Sequence, residues 1–86
     1  MRKVLLVTGG SRGIGAATSI LAAQKGWAVA VNYTSNSQAA DDVVAQIKKA
    51  GGEAMSVQAD VANEEQVLAM FEKVRSTLGP LQGLVN

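Results

Sequence analysis

Apolar positions along the chain follow two alternating rhythms. Short unbroken runs occur at Val4-Leu5-Leu6-Val7, at Ala28-Val29-Ala30-Val31 and around Ala54-Met55-Ser56-Val57. Runs without polar alternation predict parallel strands covered on both faces. Between them, apolar residues recur at helical spacing. From Ile14, the positions Ala17, Thr18 and Leu21 are read as one face of a first helix ending at Lys25-Gly26. A second helix is expected to start at Ser35, with Gln38 as its capping-box partner. It would bury Ala40, Val43, Val44 and Ile47, and end at Lys48, Lys49 and Gly51-Gly52. The third is predicted from Asn63, with Gln66 at its third position. Its stripe is Val67, Met70, Phe71, Val74 and Leu78, and Gly79-Pro80 stops it.

Strand–helix alternation with short connections means βαβ units, a parallel sheet and right-handed crossovers. The predicted fold class is therefore α/β, a three-layer Rossmann fold with strand order 3-2-1-4, incomplete at its C-terminal side. Residues 1–86 read as the N-terminal half of one such nucleotide-binding domain. The first two crossover helices are expected on one face of the sheet and the third on the other. The switch point between the first and fourth strands places a ligand at their C-terminal ends.

At 86 residues the chain forms one domain at most, and its net charge of +1 offers no field for nucleic acid or a membrane surface. It has neither cysteine nor histidine, so thiol chemistry, disulfides and the common metal sites are not expected. Arg2-Lys3 precedes apolar residues, but four are too few for a signal sequence or a span, and a cytoplasmic location is the default. Asp41-Asp42 reads as solvated helix surface and Trp27 as packing at the start of the second strand.

Candidate chemistry concentrates in Thr8-Gly9-Gly10-Ser11-Arg12-Gly13-Ile14-Gly15, where a buried strand turns into a helix. A helix N-terminus presents free N–H groups and the positive end of the macrodipole, which suit a phosphate. Glycines at the turn allow positive φ and let a pyrophosphate approach the backbone. The spacing is not that of a P-loop, because no Gly-Lys-Ser/Thr follows.

T-G-x-x-x-G-x-G after an N-terminal strand resembles the short-chain dehydrogenase/reductase family. Asp60-Val61, Gly79-Pro80-Leu81 and the final Gly83-Leu84-Val85-Asn86 match it in register. The nearest likeness is to its NADP-dependent ketoacyl-carrier-protein reductases and its sugar or alcohol dehydrogenases. The resemblance implies an oxidoreductase that moves a hydride between nicotinamide and a carbonyl or alcohol of a small-molecule substrate, working as a homo-oligomer. It also implies that the catalytic serine, tyrosine and lysine lie beyond residue 86, so no catalytic residue is expected within this segment. Tyr33 is followed by Asn36 and Ser37, not by the lysine such a tyrosine requires.

The cofactor residues implied are Gly9, Gly10, Ser11, Arg12, Gly13, Ile14 and Gly15 around the pyrophosphate and adenosine ribose. Ile14 would contribute its N–H while its side chain packs inward. Ser11 either caps the helix or contacts a phosphate. Near the end of the second strand, Asn32, Thr34 and Ser35 replace the carboxylate that NAD-binding relatives place against the ribose. Together with Arg12, otherwise a solvated loop arginine, they favour NADP(H) over the alternative NAD(H). Asp60 and Val61 are expected at the adenine and Asn86 beside the cofactor. A second reading is a non-catalytic nucleotide-binding module, or a product needing a complementary chain.

Overall fold

The computed structural model describes residues 3–86; Arg2, named above ahead of the first apolar run, lies outside them. Seven elements alternate in order: β1 (Val4–Val7), α1 (Gly13–Gln24), β2 (Ala28–Tyr33), α2 (Ser37–Lys49), β3 (Glu53–Gln58), α3 (Glu64–Leu78) and β4 (Leu81–Val85). The four strands form one parallel sheet in the order β3-β2-β1-β4. β1 is central, and Val4, Leu5, Leu6 and Val7 pair with Ala28, Val29, Ala30 and Val31 of β2.

Strand residues alternate between faces, and each face recruits different helices. Leu5, Val7, Val29 and Val31 pack with Ala40, Val43 and Ile47 of α2, and with Ala16, Ile20 and Ala23 of α1. Val4, Leu6, Ala28 and Ala30 pack with Val57 of β3 and Met70, Val74 and Leu78 of α3. The expected division of two helices against one is present. Burying each of these aliphatic side chains contributes about 1.5–3 kcal/mol before entropy is charged against it.

Several expectations change on packing. The inward face of α1 is Ala16, Ser19, Ile20 and Ala23, while Ala17 and Leu21 point outward. This helix is apolar nearly all round, so its periodicity carries little direction. On α3, Phe71 is 36% exposed, because the stripe is centred on Met70, Val74 and Leu78. α2 starts one residue later than expected: Asn36, not Ser35, is the N-cap, and its side chain accepts a hydrogen bond from the Ala39 N–H at 3.1 Å. Gln38 donates to Asp42 instead of closing a capping box. Asn63 caps α3 as expected, accepting from the Gln66 N–H. The Gln66 side chain, however, accepts from the Asp60 N–H at 2.8 Å and so ties down the β3–α3 turn.

Trp27 immediately precedes β2 and packs on the two-helix face. A Cβ at Gly83 of β4 would stand 3.6 Å from two carbons of its ring. No helix among the described residues is long and apolar enough to cross a membrane.

Candidate functional site

The C-terminal ends of β1 and β2 meet the β1–α1 turn, and this junction builds the site. Gly9 and Gly13 adopt φ of +63° and +50°, a region that side chains with a Cβ rarely occupy. Gly15 meets a different demand. A Cβ there would lie 2.1 Å from the Gly9 carbonyl oxygen, so the first turn of α1 can close over the loop only with glycine. Ser19, one turn further and fully buried, places its hydroxyl 2.9 Å from the Gly15 carbonyl and 3.4 Å from that of Gly10.

Arg12 occupies the N-cap position of α1 with extended backbone, and no side chain caps the helix. Ser11 therefore does not fill the capping role that was one of its two readings. The first-turn N–H groups, with the positive end of the macrodipole behind them, are left for an external acceptor. Ile14 is 87% exposed, contrary to the inward packing expected of it. Its side chain lies on the outer face of α1, and only its backbone remains suited to the loop.

Beside the loop opens a cleft of about 210 Å³ lined by Gly9, Ser11, Arg12, Tyr33, Thr34, Ser35 and Asn36. The lining holds one cation, four side-chain hydroxyls and no carboxylate. Such a surface fits a phosphate and the hydroxyls of a ribose.

Asn32 does not line this cleft. It is 2% exposed, and its Oδ1 accepts a hydrogen bond from the Gly9 N–H at 3.1 Å. Its Nδ2 faces the carbonyls of Ala59, Val57 and Tyr33 at 3.2, 3.3 and 3.4 Å. The side chain points to the α3 face and is fully occupied inside the protein, so the expectation that it meets the cofactor's ribose is withdrawn. Strand parity was the missed signal, because Asn32 shares the face of Ala28 and Ala30.

Asp60 lies near the start of the connection from β3 to α3, with its carboxylate accepting from the Ala62 N–H at 2.9 Å. On the other side of the loop, Thr8 Oγ1 lies 3.1 Å from the Val85 carbonyl and 3.3 Å from Asn86 Oδ1. The Thr8 N–H also donates to the Val85 carbonyl at 2.9 Å, which fastens the end of β4 to the glycine turn. Thr8, Val61, Phe71, Leu84 and Asn86 border a second cleft of about 150 Å³. The two clefts flank the turn, one towards β2 and one towards β4.

A family model for short chain dehydrogenases matches residues 3–86. The chain belongs to this family. Among its relatives, the uncharacterised oxidoreductase YgfF of Escherichia coli is 53% identical over 83 residues, covering 96% of this chain and 34% of its own. The 3-oxoacyl-[acyl-carrier-protein] reductase FabG of Staphylococcus aureus is 44% identical over 86 residues, covering all of this chain and 35% of its own. A dehydrogenase/reductase of Sinorhizobium meliloti superimposes with a TM-score of 0.95 at 42% identity, over 98% of this chain and 33% of that one. The chain thus spans about a third of the length of each of these proteins.

Proposed function

We propose that these 86 residues are the NADP(H)-binding portion of a longer cytoplasmic, homo-oligomeric oxidoreductase. The observation that carries this reading is the cleft beside the glycine turn, where Arg12, Ser11, Thr34 and Ser35 stand together without a carboxylate. A 2′-phosphate carries nearly two negative charges, and an acidic residue here would repel it. The adenosine ribose lies on the β2 side, Asp60 and Val61 border the adenine, and the backbone of Gly9 to Gly15 receives the pyrophosphate. Asn86 and Thr8 border the path towards the nicotinamide.

The bound dinucleotide supplies or accepts the hydride. This segment positions it and contributes no proton donor of its own. The substrate class we propose for the full-length protein is a small-molecule carbonyl or alcohol, with a ketoacyl carrier group as the first compound to try given the Staphylococcus relative.

Cofactor choice is tested by dissociation constants for NADPH and NADH in the full-length protein. A charge-assisted hydrogen bond contributes about 1.5–3 kcal/mol. Arg12→Ala should therefore weaken NADPH binding by about ten- to a hundredfold and leave NADH little changed. Thr34→Asp should reverse the preference by adding repulsion to the 2′-phosphate and an acceptor for the free hydroxyl. Equal losses for both cofactors in Arg12→Ala would reduce Arg12 to a solvated loop residue.

A further inference from the structure

Among the described residues, Asn32, 2% exposed, is one of two buried polar side chains beside the site, and unlike Ser19 its bonds join separate segments of the chain. Its Oδ1 holds the Gly9 N–H at 3.1 Å, while its own carbonyl accepts from the Gly10 N–H at 2.9 Å. Its Nδ2 reaches the carbonyls of Val57 and Ala59 at 3.3 and 3.2 Å, immediately before Asp60. One amide therefore spans the glycine turn after β1 and the chain leaving β3. Resting on the dinucleotide reading above, we infer that Asn32 is a positioning residue. It sets the spacing between the turn that takes the pyrophosphate and the segment that borders the adenine, and touches neither group.

The chemistry calls for an amide. Position 32 must offer an acceptor to one N–H and donors to a group of carbonyls, all out of water. Aspartate would set a second oxygen against those carbonyls, and leucine would take away both the acceptor of the Gly9 N–H and the donor to the Val57 and Ala59 carbonyls. Gly9 as a residue is exposed, and the acceptor its amide N–H meets is the buried Asn32 Oδ1. A loop with few contacts of its own opens locally at little cost, and a single buried acceptor can decide its resting position. Because the Asn32 side chain lies away from the 2′-phosphate cleft, losing it should weaken every adenine dinucleotide alike.

The test combines amide hydrogen exchange on the ¹⁵N-labelled full-length protein with dissociation constants for NADPH and NADH. In the parent, the Gly9 amide should exchange at least tenfold more slowly than that of Gly13, despite comparable exposure. In Asn32→Leu, protection at Gly9 should disappear while Leu6 of β1 remains protected. Both dissociation constants should rise by the same factor, about tenfold, measured well below the variant's melting transition. A purely structural role would lower the melting temperature without moving Gly9 relative to Leu6 or changing either constant. Binding of both cofactors within twofold of the parent would overturn the inference, as would a parent Gly9 amide that exchanges like Gly13. The parent exchange measurement decides the matter even if the variant does not fold. A parent that binds neither dinucleotide would overturn the cofactor reading, whereas a shifted NADPH-to-NADH ratio in Asn32→Leu would make Asn32 a direct reader of the 2′-phosphate.

Discussion

β1 and β4 lie side by side in the same sheet, and both are apolar, yet they are stabilised very differently. All four residues of β1 are buried, with β2 on one flank, β4 on the other and helices over both faces. β4 has a strand on one flank only, and Leu84 is 49% exposed. Apolarity in the sequence measures how much a strand stands to gain from burial. Neighbours decide how much of that gain is realised. In these 86 residues β1 collects nearly all of it and β4 only a fraction.

The largest expected effect tests that contrast directly. Leu6→Ala should destabilise the chain by about 2–5 kcal/mol in urea unfolding, enough to unfold most of a domain this small. Leu84→Ala should cost less than about 1 kcal/mol, since part of its side chain already meets solvent. Equal losses at the two positions would show that β4 is as well buried as β1. Next comes Gly83→Ala. A Cβ there would sit 2.9 Å from Leu5 Cδ1, the movable end of a side chain, so the strand can accommodate it for about 1 kcal/mol. Gly15→Ala meets a backbone carbonyl instead and should also abolish dinucleotide binding.

A third test concerns association. Leu84, Phe71, Val61 and Leu81 leave an apolar margin along β4 and α3. The 86-residue chain by itself should bind a hydrophobic dye and self-associate in sedimentation experiments. Leu84→Lys with Phe71→Lys should reduce both while changing stability by no more than about 0.5 kcal/mol per site. A parent that sediments as a monomer, ignores the dye and melts sharply would break the comparison.

The smallest effect is expected far from both strands, at Glu72 and Arg75 on the solvent side of α3. The Arg75 guanidinium, by its hydrogen bond and then its charge, holds the Glu72 carboxyl below its ordinary range, and Arg75 is raised in return. A lowered carboxylate favours folding at pH values above its unfolded value, and that contribution is lost as pH falls through its folded one. Both side chains are solvent-exposed, so salt screens the pair. Glu72→Gln should leave the acid-unfolding midpoint at physiological salt where the parent has it.

The strand order and the division of helices between faces were legible in the chain because β1, β2 and α3 each carry a strong, one-directional pattern. The turn was legible because glycine is required there by geometry, and three of them recur at fixed spacing. α1 was not: with Ile14, Ala16, Ala17, Ile20, Leu21, Ala22 and Ala23 distributed round its axis, only packing selects the inward side. The start of α2 was ambiguous because Ser35 and Asn36 are both capping residues, one position apart. Asn32 was misread for a further reason. A polar residue at the end of a strand suggests a ligand, but its partners are main-chain atoms of Gly9, Val57 and Ala59, which have no signature in composition.

Trp27 gives the molecule a built-in optical reporter. It is the chain's one tryptophan, its ring lies against Gly83, and Lys3 Nζ stands 5.6 Å from the ring centroid. Its emission therefore observes the seam where β4 joins the sheet, at the end remote from the glycine turn. Loosening of β4 should redden the fluorescence and admit acrylamide while the far-ultraviolet circular dichroism of the three helices stays unchanged. Dinucleotide binding at the opposite end should leave the emission maximum where it was, so one wavelength follows the seam through a titration without reporting the ligand.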